Sequence, residues 1–300
     1  MALVVICGAT ATGKSELAVS LAQRINAEII NADSMQLYRG MDIGTAKLSK
    51  SEQGGIPHHL IDVLDVNQEA NVAWYQEIAR KSIDGLLENN KNVVVVGGTG
   101  LYIKAILDDL NFPETNPQIR QKITVEAEEL GIDTMHQRLA KLDPAAALAI
   151  PKENIRRVIR ALEVIEITGK PFTANLPSDS SSKYPMAKLF GLVLDRENLD
   201  SKIDLRVEKM WQKGFVDEVS KLMRQGLEQS TSAKKALGYS QIIGYLKGEH
   251  NEEFAKTETK RSTKAYARRQ ETWFFRDERI KWLYPDTNDA RLEKLLASIN

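Results

Sequence analysis

The stretch LVVICGATATGKSELAVSLAQRI, residues 3–25, decides the fold of this chain. It begins with an apolar run, continues with the pattern G-x-x-x-x-G-K-S over residues 8–15, and ends with apolar residues at helical spacing. Glycines let a backbone curl around an anion, and the N-terminus of a following helix adds N–H donors and a positive partial charge. The stretch therefore predicts a strand, a phosphate-binding loop and a helix.

The loop supplies both charge and hydrogen-bond donors. Lys14 places a positive charge at the phosphate, and the Ser15 hydroxyl is the residue type that holds Mg²⁺ at this position of the pattern. The predicted phosphate-binding residues are Gly8, Ala9, Thr10, Ala11, Thr12, Gly13, Lys14 and Ser15.

Further short β-branched runs predict a parallel sheet. They are continuous rather than alternating, which indicates strands buried on both faces, and helical patterns separate most of them. The predicted strands are 3–7, 27–31, 59–66, 92–98 and 188–194. The chain after 194, including 252–283, has helical patterns. We predict an α/β fold of the P-loop NTPase type, with helices flanking the sheet.

The strand rhythm is interrupted after the fourth strand. Segments 111–117 and 173–188 are rich in Pro, Ser and Asn, and the residues between them have helical patterns without a strand signal. We therefore predict a helical insertion domain at 113–188 within a catalytic core formed by 1–112 and 189–300.

Composition limits the class of protein. The chain has 300 residues, 42% of them hydrophobic, and its 41 basic and 41 acidic residues balance. No protein-wide field recruits a polyanion, so a nucleic-acid surface must be local. A single cysteine, Cys7, excludes an intramolecular disulfide. With no signal-peptide pattern and no 18-residue apolar stretch, we expect a cytoplasmic protein without a membrane partner.

The loop alone does not identify the phosphate compound. An ATPase or GTPase of this class adds a carboxylate at the end of another strand, but the strand predicted at 92–98 ends in glycines that lead to Thr99. Asp33 instead follows the second strand, at the edge where open sheets bind ligands. It is either the cap of the next turn or a carboxylate that acts as general base or metal partner, with Ser34 and Gln36 beside it.

Eight segments together resemble the bacterial tRNA dimethylallyltransferases, also called tRNA isopentenylpyrophosphate transferases. The resemblance covers nearly the whole chain. The segments, in chain order, are GATATGKS, NADSMQLYRGMDIGTAK, IPHHLIDVLDV, VVGGTGLY, IRRVIRALEVIEITGKP, LVLDRENLDSKIDLRVEKMWQKGFVDEV, ALGYSQI and YARRQETWF.

This resemblance implies a reaction and its participants. The loop would hold the diphosphate of dimethylallyl diphosphate with Mg²⁺, and the prenyl group would pass to the exocyclic N6 amine of the adenosine on the 3′ side of the anticodon, in the tRNA anticodon stem-loop. Asp33 would accept the amine proton, Gln36 would read the adenine edge, and Arg206 would stabilise the diphosphate. Thr99 would line the channel of the base. Without the resemblance, Arg206 reads as a helix-surface residue and Thr99 as a turn residue.

Two basic segments are candidates for RNA contact. One is the helix around 155–165, and the other is 256–281, which has nine basic and four acidic residues with interleaved aromatics. Both are also compatible with solvated helix faces. The predicted tRNA-binding residues are Asp33, Ser34, Met35, Gln36, Thr99, Arg156, Arg157, Val158, Ile159 and Arg160.

Two other functions fit part of the pattern. A P-loop small-molecule or nucleoside kinase shares the strand, the loop and a carboxylate after the second strand, and it would turn over ATP. A non-catalytic, nucleotide-dependent RNA-binding module would keep all its activity without Asp33. For the transferase, ATP or nucleotide binding would follow from the shape of the loop alone. We expect a monomer with no DNA partner.

Overall fold

The computed structural model of the chain describes residues 1–175 and 182–299. Two compact units are present, one formed by Met1–Leu107 with Tyr184–Asn300, and the other by Asp108–Lys183. The predicted insertion was 113–188, and part of its second flanking segment, at 176–181, lies outside the described residues.

A parallel sheet forms the centre of the first unit. Its described strands are β1 (Leu3–Gly8), β2 (Ala27–Asn31), β3 (His58–His59), β4 (Asn92–Val96), β5 (Lys188–Leu192) and β6 (Ile280–Leu283), in the spatial order β3-β2-β4-β1-β5-β6. In β1, Val5 is in register with Val95 on one side and with Leu189 on the other. The predicted α/β fold with a parallel sheet is confirmed.

Twelve helices lie within the described residues. They are α1 (Lys14–Ile25), α2 (Val72–Glu88), α3 (Gly100–Leu107), α4 (Pro117–Leu130), α5 (Ile132–Leu142), α6 (Pro144–Ala149), α7 (Ile155–Thr168), α8 (Arg196–Gln212), α9 (Phe215–Arg224), α10 (Tyr239–Leu246), α11 (Glu252–Phe274) and α12 (Asn288–Ile299). Short 3₁₀ segments connect some of them.

Both faces of the sheet are covered, as continuous apolar strands require. Alternate β1 side chains enter different cores. Val4 and Ile6 pack in the core that α1 and α12 cover, whereas Val5 and Cys7 pack in the core that α2, α3 and α9–α11 cover. The ends of β1, β2 and β4 are thereby fixed side by side at one edge.

Two sequence predictions are corrected. The strand predicted at 59–66 shrinks to β3, because Leu60 and Asp62 adopt positive φ angles of 61° and 56°, which extended strands do not allow. The helical pattern predicted through 283 ends at Phe274, and IKWL at Ile280–Leu283 pairs with β5 as an edge strand.

The second unit is helical. Helices α4 to α7 surround a small core that includes Ile123, Met135, Leu139, Val158 and Leu162, all of them buried. Asn116 caps α4 by accepting hydrogen bonds from the backbone N–H groups of Gln118 and Ile119.

Candidate active site

The phosphate loop follows β1 and opens toward the N-terminus of α1. Gly13 has a φ of 91°, a conformation that glycine adopts without strain, and no side chain caps the helix that follows it. The first N–H groups of α1 are therefore available to an anion. Lys14 Nζ donates to the carbonyl oxygen of Ala9 at 2.5 Å, and the Thr12 hydroxyl donates to the same oxygen at 2.8 Å.

The loop borders a cavity of about 370 Å³, which we call the loop cavity. Of the predicted phosphate-binding residues, it is lined by Thr10, Ala11, Gly13, Lys14 and Ser15. Ala9 and Thr12 do not line the cavity, because their side chains are buried in the protein.

A second cavity of about 380 Å³, the helix cavity, is bordered by α8, α10 and α11. Its wall is partly apolar, with Met35, Val207 and Met210. The two cavities share five lining residues: Thr10, Asp33, Thr45, Arg206 and Tyr266. A ligand group in one cavity and a ligand group in the other would meet at these five residues.

Asp33 stands where β2 ends. Its Oδ1 accepts a hydrogen bond from Met35 N–H at 2.9 Å, so the capping interpretation is correct for this oxygen. Among the described residues, Oδ2 has no hydrogen-bond partner, and the residue lines both cavities. One carboxylate oxygen orients the group, while the other remains for a proton or a metal ion.

Arg206 is not a surface residue of α8. Its Nη1 donates to the Thr10 hydroxyl at 3.1 Å, and its Nη2 donates to the Thr45 carbonyl oxygen at 3.3 Å. Burial lowers the pKa of Arg206 from its ordinary value, and the charge of Asp33 opposes that shift. The guanidinium therefore joins the loop to the opposite wall of the cavities.

The site combines enclosed cations with one carboxylate. Burial, followed by the positive charge of Arg206, lowers the pKa of Lys14 to about 8. Burial, followed by the negative charge of Asp33, raises the pKa of Tyr266 to about 12. Near neutral pH the Tyr266 phenol thus remains protonated, and the Lys14 ammonium remains mostly charged.

Gln270 is a site residue that the sequence interpretation missed. Its Oε1 accepts a hydrogen bond from Thr10 N–H at 2.9 Å, and its Nε2 donates to the Gly98 carbonyl oxygen at 2.7 Å. It is buried and ties α11 to the loop after β1 and to the turn after β4. In the sequence, the segment YARRQETWF indicates a basic helix with aromatic residues and assigns no separate role to Gln270.

Glu218 of α9 is a second missed residue. Its carboxylate accepts hydrogen bonds from three consecutive backbone N–H groups, those of Asp42, Ile43 and Gly44, at 3.1, 2.7 and 3.3 Å. Tyr239 donates its hydroxyl to the same carboxylate at 2.6 Å. These bonds fix the turn that presents the Thr45 carbonyl oxygen to Arg206. No spacing in the sequence relates 218 to 42–45.

The residues beside Asp33 separate into lining and supporting roles. Ser34 and Met35 line the helix cavity, and Gln36 lines the loop cavity, where its Nε2 donates to the Thr45 carbonyl oxygen at 3.2 Å. Thr99 was expected to line the base channel, but it borders neither cavity. Its hydroxyl accepts a hydrogen bond from Ser34 N–H at 3.1 Å and so stabilises the turn that follows Asp33.

The RNA-binding candidates on α7 also divide. Arg156 and Arg157 are exposed, and Ile159 packs partly against the core of the helical unit. Val158 is fully buried in that core, so its side chain is enclosed within the helical unit. Arg160 donates to the Pro113 carbonyl oxygen at 2.7 Å and pairs with buried Glu163 at 3.1 Å, which favours a structural role within the unit.

The site can be tested for its fit to Mg²⁺. Within the described residues there is no group of three or more His, Cys, Asp or Glu side chains that would hold a metal by itself. Ser15 and Asp33 nevertheless line the same cavity, and Mg²⁺ commonly binds one or two protein oxygens together with substrate phosphates and water. The residues fit Mg²⁺ that is bound together with a diphosphate.

The strand, loop and helix at 3–25, in a parallel sheet, define a P-loop NTPase-like α/β protein. Among the described residues, no helix has both the length and the apolar character needed to cross a membrane. The family model described as IPP transferase matches residues 36–278. The chain belongs to the IPP transferase family.

Known relatives agree with this assignment. A tRNA dimethylallyltransferase of Thermobifida fusca is 54% identical, covering 96% of this chain and 91% of that protein, and one of Streptomyces coelicolor is 52% identical over 99% and 95%. The crystal structure of a tRNA isopentenylpyrophosphate transferase from Bacillus halodurans has a TM-score of 0.72 at 37% identity, covering 99% and 95%. That of a eukaryotic dimethylallyltransferase acting on tRNA has a TM-score of 0.81 at 25% identity, covering 99% and 78%.

Proposed function

We propose that this chain transfers the dimethylallyl group of dimethylallyl diphosphate to the exocyclic N6 amine of the adenosine 3′ to the anticodon in tRNA, releasing diphosphate. The relatives named tRNA dimethylallyltransferase support this activity and give no support to the kinase alternative. One geometric observation carries the proposal: Asp33 and Arg206 both line the loop cavity and the helix cavity, so a base and a cation face the point where the cavities meet.

The chemistry follows from this arrangement. The allylic C–O bond to the diphosphate breaks, a C–N bond forms to the adenosine amine, and the amine proton passes to the Asp33 carboxylate. Lys14, Arg206 and the N–H groups at the start of α1 stabilise the negative charge that develops on the departing diphosphate. Mg²⁺, held by the Ser15 hydroxyl, would supply further charge neutralisation when it is bound.

The acceptor base would enter the helix cavity. An adenosine in a structured loop must leave its stack to reach the reacting carbon. Gln36 lines the adjoining loop cavity, where its Nε2 donates to the Thr45 carbonyl oxygen. Its own carbonyl oxygen is left to accept a hydrogen bond from the adenine amine where the two cavities meet. The apolar part of the cavity wall, which includes Met35, suits the planar base and the prenyl chain.

The proposal also covers the phosphate contacts of the helical unit, the cellular location, the oligomeric state and the role of ATP. Arg156 and Arg157 supply phosphate contacts on the helical unit, because both are exposed arginines. The protein acts in the cytoplasm as a monomer, and ATP is not consumed. Any affinity of the loop for ATP reflects the shape of a phosphate cradle.

A double-label experiment tests the activity. The protein is incubated with bulk tRNA, Mg²⁺ and either prenyl-labelled dimethylallyl diphosphate or γ-labelled ATP. We expect label in RNA only from the prenyl donor. Label passing from ATP to a small-molecule acceptor, with no prenyl label in RNA, would establish the kinase instead.

Asp33→Asn then tests the base. We expect the rate of prenyl transfer to fall by about 10²- to 10⁴-fold, the range typical for loss of a general base, with tRNA binding largely retained. Asp65→Asn is the matched control, since Asp65 is an exposed carboxylate paired with Arg39. Unchanged transfer by Asp33→Asn would show that Asp33 is not the base, whereas tRNA binding without any transfer by the wild type would favour the non-catalytic RNA-binding module.

A further inference from the structure

The basic side chains of α11 fall into two groups with different partners. Lys256 and Lys260 form ion pairs with Glu208, at 3.3 and 2.5 Å. Lys264 pairs with Asp204 at 2.7 Å. Both acids belong to α8, so this row of α11 is neutralised by its neighbour and contributes to helix packing.

A second row on α11 has no such partners. Tyr266, Arg269 and Trp273 are spaced by three and four residues and therefore share one face of the helix. Among the described residues Arg269 has no acidic partner within ion-pair distance, and it is exposed. Its guanidinium lies 5.7 Å from the centre of the Tyr266 ring, and both residues line the helix cavity.

Trp273 continues this row by one turn, away from the cavity. Its side chain is held against the start of α3, where a Cβ on Gly100 would come within 2.2 Å of the indole ring. Gly100 follows Thr99, whose hydroxyl supports the turn beside Asp33. Even so, Trp273 is 44% exposed. A partly exposed aromatic side chain thus lies one helical turn beyond Arg269, which lines the proposed acceptor cavity.

We infer that Arg269 and Trp273 form a contact surface for the nucleotide next to the acceptor adenosine. Arg269 binds the phosphate between the two nucleotides, and the neighbouring base stacks on the Trp273 indole. The inference rests on the proposed function and extends it to the flanking nucleotide. A cation followed by an aromatic one turn away matches the chemistry of single-stranded RNA, in which phosphates and unstacked bases alternate.

The Arg269–Trp273 surface would also stabilise the anticodon loop in the conformation in which the acceptor base is extruded. When a base is extruded, its neighbour loses a stacking partner, and stacking on a fixed indole replaces that partner. The binding free energy of the flanking nucleotide is then available to offset the cost of extrusion. If the RNA were bound through its phosphates alone, no aromatic side chain would be needed at position 273.

The experiment uses an anticodon stem-loop RNA with 2-aminopurine on either side of the acceptor adenosine. With the wild-type protein, we expect fluorescence quenching at one of the two positions as the base stacks. Trp273→Leu should remove that quenching and raise the Kd for the RNA by about tenfold or more, whereas Trp273→Phe should retain most of both. Arg269→Gln should make the slope of log K against log salt shallower by about 0.7.

Lys260→Gln is the matched control, because it removes a positive charge from the same helix but from the row paired with α8. We expect its quenching and salt slope to equal those of the wild type. The surface is disproved if Trp273→Leu binds and quenches like the wild type, or if Lys260→Gln changes the slope as much as Arg269→Gln.

Two further readouts keep the outcomes separate. The KM of Trp273→Leu for dimethylallyl diphosphate should match the wild type, and the variant should still melt cooperatively although it loses packing against Gly100. Both results would show that a loss of RNA affinity is not a loss of folding. Prenyl transfer by the wild-type protein to the stem-loop tests the proposed function by itself. Transfer by the wild type combined with unaltered RNA binding by the variants would reject only the Arg269–Trp273 surface.

Discussion

Arg206 donates a hydrogen bond from Nη1 to the hydroxyl of Thr10 at 3.1 Å, although the two residues are 196 positions apart in the chain. The second guanidinium nitrogen reaches the Thr45 carbonyl oxygen. A planar guanidinium can make both bonds at once from two different nitrogens, whereas the three donors of an ammonium group all leave one nitrogen. The geometry at this position therefore favours arginine over lysine.

Arg206→Lys tests that requirement. Lysine keeps the positive charge but cannot hold the loop and the Thr45 turn together, so we expect kcat/KM for dimethylallyl diphosphate to fall by about 10- to 100-fold. Steady-state kinetics with saturating tRNA measure the effect. Lys209→Arg, on the following turn of α8, is a control whose kinetics should not change, because Lys209 is exposed and lines neither the loop cavity nor the helix cavity. Wild-type kinetics in Arg206→Lys would show that charge alone suffices.

Lys14 predicts a pH dependence of diphosphate binding. Its pKa of about 8 in the free protein means that the ammonium loses its proton as the pH rises above 8. Only the charged form attracts a diphosphate, so affinity should fall by up to about tenfold per pH unit above that value. Calorimetric titration with inorganic diphosphate measures this. Lys14→Arg should flatten the dependence, and a flat profile in the wild type would contradict the prediction.

The same pKa shift has the opposite sign for folding. Because the pKa falls from 10.5 to about 8 on folding, the unfolded chain binds more protons between these two pH values. The contribution of Lys14 to the free energy of unfolding therefore rises with pH across this window. Denaturant titrations without ligand measure the free energy of unfolding of the wild type and of Lys14→Met. Its pH dependence should differ between the two proteins from about pH 8 to 10.5, and should be the same in both below pH 8.

Glu218→Gln tests the support of the Thr45 turn. An amide cannot accept all four hydrogen bonds that the carboxylate accepts, so the turn should loosen and Arg206 should lose its fixed position. We expect kcat to fall about tenfold while the Kd for tRNA stays the same. Asp217→Asn, an exposed neighbour on α9, is the matched control. Equal changes in kcat and tRNA affinity would indicate general unfolding.

Arg160 and Arg156 should respond in different assays. Burial would raise the pKa of Glu163, but hydrogen bonds from Arg120, Asn116 N–H and Arg160 hold it below its ordinary value. Arg160→Ala removes one of these donors, and we expect it to destabilise the helical unit by about 1–3 kcal/mol.

Arg156→Ala, by contrast, should leave the melting temperature unchanged. It should make the slope of log K against log salt for tRNA shallower by about 0.7–0.9, the effect of one phosphate contact. Thermal melts and salt titrations of both variants separate the two roles. The assignment fails if Arg160→Ala changes only the salt slope.

The local patterns of the sequence were sufficient for part of this structure. The loop at 8–15 and the strands at its flanks follow from residue type and spacing, because they form from contiguous residues. The failures at 59–66 and 280–283 have local causes as well. At 59–66, the residue types of the apolar run do not reveal that Leu60 and Asp62 adopt positive φ angles. At 280–283, the edge strand has only four residues and is too short to interrupt the helical pattern.

The site could be predicted only where its residues carry a motif. Asp33 follows a predicted strand, and Lys14 belongs to the loop pattern, so both could be found. Gln270 and Glu218 act through contacts across 260 and about 175 positions, and a single sequence contains no information about such pairings. Arg206 was found through resemblance, since its position on a helix indicates only an exposed side chain.

Gln270 has a consequence for how the protein is made. The loop at Thr10 is synthesised 260 residues before Gln270, whose side chain accepts the hydrogen bond of the Thr10 N–H group. A nascent chain that lacks α11 therefore has a phosphate loop without this partner, and the loop acquires it only when α11 has folded.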